Sequence, residues 1–302
     1  MMDSTATVLV AGSANLDFVV RAAHIPAPGE TVLGREFRTF PGGKGANQAI
    51  ASARAGGAPT AMLLALGDDA YAAPVEASLR EAGVVLHIVR AAEQPTGTAF
   101  ICVSDSAENA ITVAPGANAA LRAEHLPALA GIRHLLLQLE TPLAAVTAYA
   151  RAARAAGVMV VLNAAPAPAQ ALPDELLAAT DLLIVNEGEL AAISGIGDGV
   201  TAALERVAVP TVIVTLGARG CIARTPQGRV QQGGFKVDAI DTTAAGDTFC
   251  GALVAALSRG EPLAASLAFA SAAAAIACTR LGAQASIPAL AEVRHFLATH
   301  DV

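Results

Sequence analysis

The regular exchange of strand-like and helix-like segments from residue 119 onward most constrains what this chain can fold into. Ala119 to Ala130 reads as a helix leading to the apolar strand His134 to Leu139. Leu143 to Ala156 reads as a helix closed by Gly157, followed by strand Val158 to Leu162. Leu182 to Val185 and Thr211 to Thr215 are further strands, with helices at Pro262 to Cys278 and Pro288 to Thr299. Short strands separated by helices of about 10 to 15 residues predict an α/β fold, with a mostly parallel sheet covered by helices on both faces. Ligands of such sheets bind at the carboxyl ends of the strands. Asp17, Glu140, Asn163, Asn186, Thr215 and Asp247 collect there.

The first part of the chain is less regular. Thr7 to Ala11 is a buried first strand, and Phe18 to Ala22 and Thr31 to Phe40 read as exposed strands. A helix runs from Lys44 to about Arg54 and stops at Gly56-Gly57. Strand Ala61 to Leu66, helix Ala70 to Glu81 and strand Val84 to Val89 follow. Thr96 to Val103 alternates, and Asn109 to Val113 can pair with it across Asp105-Ser106-Ala107-Glu108. These exposed strands predict a small separate sheet, placed to act as a lid.

The 302 residues suit one large α/β domain with a small appendage. A net charge of −7 without any basic run argues against a nucleic-acid partner. The hydrophobic share of 54% suggests a membrane protein, but alanine drives it. Ala264 to Cys278, for example, is broken by Ser266 and Ser271, and no stretch reaches about 18 strongly apolar residues. Met1-Met2-Asp3-Ser4 has no signal-peptide character, and Cys102, Cys221, Cys250 and Cys278 form no C-x-x-C. The expectation is a soluble cytoplasmic protein with reduced thiols.

Several familiar fingerprints are missing. Gly12-Ser13-Ala14-Asn15-Leu16-Asp17 follows the first strand where a dinucleotide-binding fold would carry G-x-G-x-x-G. Asn15 and Asp17 lie two apart, so both face one way on an extended chain. That pair suits hydroxyl recognition, or is a polar turn. Pro41-Gly42-Gly43-Lys44-Gly45-Ala46-Asn47-Gln48 lacks the glycine spacing of a P-loop, yet its glycine-cushioned helix start can hold a polar ligand with Lys44 and Asn47. The histidines show no zinc spacing, and no G-x-S-x-G appears.

Other polar groups have two readings each. Glu140 is a ligand group at a strand end, or a charge at the start of the next helix. Asn186-Glu187-Gly188-Glu189 can orient waters on magnesium, or its acids complement a helix dipole. Thr215-Leu216-Gly217-Ala218-Arg219-Gly220 is a nucleotide turn or a plain tight turn. In Asp241-Thr242-Thr243-Ala244-Ala245-Gly246-Asp247-Thr248-Phe249 small residues and hydroxyls join a short strand (Phe235 to Ile240) to a helix (Phe249 to Leu257). This is a phosphate site with a carboxylate inside it, or a helix capped by Thr242 or Thr243.

Taken together, these segments resemble the ribokinase family of sugar kinases over nearly the whole chain. The resemblance is carried by Pro41 to Ala49 and by Asp241 to Phe249, the latter fitting the family pattern D-T-x-x-A-G-D. Between them, Gln138-Leu139-Glu140, Asn163 to Ala167, Asn186 with Glu189, and Thr215 to Gly220 come in the family's order. The resemblance implies a core formed by residues 1–13, 42–95 and 115–302, with a β-lid at 14–41 and 96–114. It implies ATP as donor, Mg2+ on the phosphates and an activating K+.

Carried over by position, Asn15, Asp17, Gly43, Lys44, Asn47 and Glu140 would bind sugar hydroxyls, and Ala99 and Ile101 of the lid would pack on the sugar. Asn186, Thr215, Leu216, Gly217, Ala218, Arg219, Gly220, Gly246 and Ser271 would line the ATP site. Ser271 departs from the family, whose members can carry histidine there. Glu189 would serve magnesium through water, and Asp241, Thr243, Ala277, Arg280, Gly282 and Ser286 would surround potassium. Asp247 would accept the proton of a sugar hydroxyl while the N–H groups of Ala244, Ala245, Gly246 and Asp247 hold the transferring charge. The expected reaction is phosphorylation of O5 of D-ribose. Other furanoses, a nucleoside, or a non-catalytic sugar-binding regulator are the alternatives. Exposed lid edges suggest a homodimer through the lid.

Overall fold

The computed structural model describes residues 7–106, 108–197 and 199–300. Met1 to Ser4, Ala107 of the expected turn, and the extreme ends of the expected core lie outside the described residues. The chain begins with β1 (Val8–Ala11), β2 (Asn15–Arg21), β3 (Glu36–Gly42), α1 (Lys44–Ile50), β4 (Thr60–Leu66), α2 (Ala72–Glu81) and β5 (Val85–Arg90). The hairpin β6 (Gly97–Val103) and β7 (Asn109–Ala114) follows, then β8 (His134–Leu137), α3 (Leu143–Ala155), β9 (Met159–Asn163), α4 (Asp174–Ala179) and β10 (Leu182–Asn186). The last third holds α5 (Glu187–Ser194), α6 (Val200–Arg206), β11 (Thr211–Thr215), β12 (Cys221–Thr225), β13 (Gly228–Gln232), α7 (Ala245–Ser258), α8 (Leu263–Cys278) and α9 (Leu290–Thr299).

Among the described residues nine strands form one sheet in the order β13-β12-β11-β10-β9-β8-β1-β4-β5. All pairings from β11 to β5 are parallel; β12 pairs antiparallel with both β11 and β13. Both faces are covered, which explains why β1 and β8 are buried throughout. Val8 and Val10 enter one apolar cluster with α1, α7 and α8, whereas Leu9 and Ala11 enter the other with α3 to α6. The small residues of α7 and α8 permit close packing. A Cβ at Gly251 of α7 would strike the Gln48 carbonyl and Ala51. Among the described residues no helix is long and apolar enough to cross a membrane.

A second sheet has the order β3-β2-β6-β7. In its register Asp17 pairs with Ala99 and Val19 with Ile101, so these four side chains share a face. On the opposite face Phe18 stacks between Phe37 and Phe100 and meets Tyr71 edge-on.

Three expected elements are corrected. Ala119 to Ala130 is not a helix. It contains only single turns at Gly116–Ala120 and Ala123–His125, because Leu121 and Arg122 are extended. Leu121 is fully buried, Tyr149 Oη donates to the Arg122 carbonyl at 2.7 Å, and Pro127 disfavours helical backbone at Leu126. The strand expected over Thr31 to Phe40 starts only at Glu36. Phe235 to Ile240 is not a strand: the sheet ends at β13, and the Ile240 N–H donates to the Cys278 carbonyl instead. The hairpin β12–β13 and helices α4 and α6 were not expected from the sequence.

Candidate active site

The site is assembled around the start of α1. Gly43 has φ +90°, and a Cβ at Gly45 would lie 2.7 Å from the backbone of Gly12 and Ser13. Glycines therefore let α1 lie against the turn leaving β1, which places Lys44 and Asn47 beside Asn15 and Asp17. Glu140 closes this corner: its Oε2 accepts from Ser13 Oγ at 2.6 Å and from the Lys44 N–H at 3.2 Å. The carboxylate thus serves the start of α1, not that of α3. Asn118 Nδ2 donates to Asn15 Oδ1 at 2.8 Å.

Asp17 Oδ1 and Asn47 Oδ1 are buried and have no protein partner. Burial, with Glu140 and Asp247 nearby and only Lys44 opposing, raises the Asp17 pKa to about 7. Burial works against the Lys44 ammonium as well, but Asp247, Glu140 and Glu189 hold its pKa above the ordinary value. Buried unpartnered acceptors beside a half-buried cation need donors from a ligand, and hydroxyl groups supply them.

Asp247 lies in the first turn of α7 and is 9% exposed. Asn47 Nδ2 donates to its Oδ2 and Gln48 Nε2 to its Oδ1, each at 2.9 Å. Burial raises its pKa, while Lys44 and the two amides oppose the rise. Ala244, at φ 59°, has left-handed backbone and caps the helix. Gly246 and Asp247 belong to a first turn whose N–H groups lack intrahelical acceptors. Ala245 differs from expectation, since its N–H donates to the Thr242 carbonyl at 3.2 Å.

A cavity of about 170 Å³ reaches from this helix start to the ends of β10 and β11, between Lys44, Asp247, Gly246, Asn186, Glu189 and Thr215. Asn186 caps α5 reciprocally: its Oδ1 accepts from the Glu189 N–H, and Glu189 Oε2 accepts from the Asn186 N–H, both at 2.8 Å. Burial raises the Glu189 pKa, with the Asn186 bond and Lys44 opposing. Beyond Thr215, a single turn at Gly217–Arg219 is bent by Gly217 (φ 58°) and Gly220 (φ 91°), and the Leu216 N–H donates to the Gly220 carbonyl at 2.8 Å. Ala218 backs onto Gly234, and Arg219 pairs with Glu187 at 2.6 Å. Ser271 lies near the Cys221 thiol just after this turn and does not line the cavity.

Of the expected ion residues, Asp241, Thr243 and Gly282 come together through hydrogen bonds. Asp241 accepts from the N–H groups of Thr243 and Gly282 at 2.9 Å each, and its own N–H donates to the Cys278 carbonyl. Burial opposes ionisation here, but the bonds from Thr243 and Gly282 win and hold its pKa below the usual range. The Arg280 N–H donates to the Ala277 carbonyl and Ser286 Oγ to the Ala283 carbonyl; Ser286 is fully buried. A half-buried carboxylate held charged by backbone N–H groups is a donor of the kind a monovalent cation takes. For magnesium, the described residues contain no cluster of three or more histidine, cysteine or acidic side chains. The single carboxylate of Glu189 in this cavity fits an ion that keeps most of its waters.

Sequence reasoning missed Ser13, Gln48, Asn118 and Gln138 as parts of this site. Each is buried and polar, and each acts on another side chain rather than facing a ligand. Gln48 lay within a quoted motif, but no local pattern distinguishes a buried glutamine from an exposed one.

A mostly parallel sheet with a small second sheet, and a buried aspartate at a helix start beside a lysine, define a phosphotransferase of the sugar-kinase class. Residues 5–290 match the pfkB family carbohydrate kinases, and the chain belongs to that family. It is similar to the ribokinase of Haemophilus influenzae, at 40% identity over 96% of this chain and 98% of that one. A ribokinase structure from Thermotoga maritima superposes with a TM-score of 0.91 at 38% identity, covering 97% of this chain and all of that one. Arabidopsis thaliana ribokinase complexed with ribose and ATP gives 0.90 at 31% identity, covering 98% and 100%.

Proposed function

We propose that this protein is an ATP-dependent sugar kinase that phosphorylates the 5-hydroxyl of D-ribose. The observation that carries the reading is the Asp247 carboxylate, buried at the start of α7 beside Lys44 and next to the unpartnered acceptors Asp17 Oδ1 and Asn47 Oδ1. Ribokinases similar over nearly the full length of both chains support ribose as the sugar.

Asp17, Asn47, Glu140, Lys44, Asn15 and Gly43 hold the sugar hydroxyls, with Ala99 and Ile101 of the lid above them. Asp247 accepts the proton of the attacking hydroxyl; its raised pKa makes it a stronger base than an ordinary aspartate, and a positioned base contributes about 10²–10⁴-fold. The first-turn N–H groups of Gly246 and Asp247, with Ala244 lining the same cavity, receive the transferring charge. Asn186, Thr215 to Gly220 and Ser271 surround the nucleotide. Glu189 would hold a magnesium ion through water, and that ion would supply neutralisation of the phosphate charge. Asp241 and the carbonyls near Thr243, Ala277, Arg280 and Gly282, with Ser286, would hold potassium and steady the loop before α7.

Residues 14–41 and 96–114 form the lid. Its exposed Ile111 and Val113 support a homodimer through this sheet, because apolar edge strands are a liability when uncovered. The free cysteines among the described residues support a reducing cytoplasmic setting. An ATP-coupled assay over pentoses, hexoses and nucleosides tests the function, with ribose expected to give the highest kcat/KM. A higher kcat/KM for a nucleoside or hexose would reassign the substrate, and no turnover of any would remove the kinase reading. Light scattering showing a monomer at micromolar concentration would remove the dimer.

A further inference from the structure

Asn47 and Gln48 are adjacent on α1 and grip the Asp247 carboxylate from two sides, one oxygen each. Their other contacts differ. Asn47 keeps an unpartnered Oδ1 and serves the sugar corner. Gln48 is fully buried, does not line the cavity, and spends its amide on protein. Its Nε2 bridges Asp247 Oδ1 and Asn163 Oδ1, both at 2.9 Å, and its Oε1 accepts from Gln138 Nε2 at 2.6 Å. Asn163 is anchored in turn, donating from Nδ2 to the Ile184 carbonyl at 3.1 Å.

This chain of amides permits one orientation of Gln48. Flipped, its oxygen would face Asp247 Oδ1 and Asn163 Oδ1, and its NH2 would face that of Gln138, replacing attractive contacts with repulsive ones. An ionised carboxylate has about four acceptor sites. With one taken on each oxygen, the remaining lone pairs are directed by the protein.

We propose that Gln48 is a positioning residue for phosphoryl transfer, holding the Asp247 carboxylate in a single orientation with its free lone pairs toward the cavity. The inference rests on Asp247 being the base. Gln48 touches no reacting atom and acts only through Asp247. Loss of its N–H frees the carboxylate to rotate and removes one of two amide bonds stabilising a buried charge, which favours the protonated acid. A protonated Asp247 cannot accept the hydroxyl proton.

The test is Gln48→Met, of similar length without the amide, assayed for ribose phosphorylation across pH. The variant should lose about 10- to 100-fold in kcat at pH 7, the effect of one lost hydrogen bond to a charged group. Its ribose KM should stay within about twofold, since sugar contacts are retained. The acid limb of its kcat profile should move up by about one pH unit, as for a carboxylate losing an amide donor. A folded Gln48→Met enzyme with the wild-type kcat and acid limb overturns the inference, because a purely structural amide would change only Tm. Should Gln48→Met fail to fold, Gln138→Met releases the Gln48 oxygen and should move the limb in the same direction by less; an unmoved limb there also overturns it. Asp247→Asn separates the layers. If it retains near-normal kcat, the base assignment fails and this inference with it. If it is inactive while Gln48→Met keeps the wild-type profile, only the role of Gln48 is lost.

Discussion

The carboxylate of Asp17 occupies the space where any residue other than glycine at position 42 would carry its Cβ. Gly42 ends β3 and needs no positive φ, so its backbone accepts alanine. The clash falls on the end of a side chain, which can rotate away. Gly42→Ala should therefore fold with a Tm near wild type while displacing Asp17 from the sugar corner. The expected result is a rise of about tenfold or more in ribose KM, the loss of a charged hydrogen bond, with a smaller change in kcat. Steady-state kinetics beside a melting curve checks it; an unchanged KM would remove Asp17 from sugar binding.

Asp247→Asn keeps the shape of the residue and one acceptor oxygen, and removes the base. It should lower kcat by at least about 10²-fold with little change in sugar affinity. Calorimetric binding of ribose to the variant, alongside turnover, separates the two quantities.

Sugar binding should depend on pH through Asp17. Its folded pKa of about 7 lies above the ordinary 3.8, so the ligand-free protein holds a proton there that the unfolded chain releases. The linked stability is fully present below about 3.8 and declines as pH rises through about 7. Sugar hydroxyls that donate to the ionised carboxylate pull in the opposite direction. Ribose affinity should rise between pH 6 and 8, with proton release on binding near pH 7, and Asp17→Asn should abolish both. Calorimetry at pH 7 in two buffers of different ionisation enthalpy measures the proton count; a count of zero for the wild type would contradict the assignment.

His134 carries the opposite linkage. It is buried at the start of β8, its Nδ1 has no partner, and burial, then Arg133, lowers its pKa from 6.5 to about 4. The neutral ring's contribution to stability is present above about 6.5 and is lost as pH falls toward 4. His134→Leu should therefore lose less Tm than wild type between pH 7 and pH 5. Parallel thermal melts at the two pH values would show it.

Strand positions were legible wherever hydrophobic period and length agreed. Thr211 to Thr215 matches β11 residue for residue, and Leu182 to Val185 lies within β10, because strands buried on both faces are apolar throughout. β-Branched composition misled at Phe235 to Ile240, where the Ile240 N–H donates to the Cys278 carbonyl rather than to a strand. Helix propensity misled at Ala119 to Ala130, where a buried Leu121 and the anchored Arg122 carbonyl outweighed it.

By itself, then, the sequence determined the α/β alternation, the glycines at the two helix starts and the types of group placed at strand ends, since these are local choices of period, backbone freedom and charge. Only the tertiary structure decided that Asp17 and Asn47 keep unpartnered acceptors, that Glu140 serves α1, and that Gln48 and Asn47 grip Asp247 across about 200 residues of chain. Those relations depend on which polar groups are closed off from water together, and desolvation belongs to the assembled fold rather than to any segment.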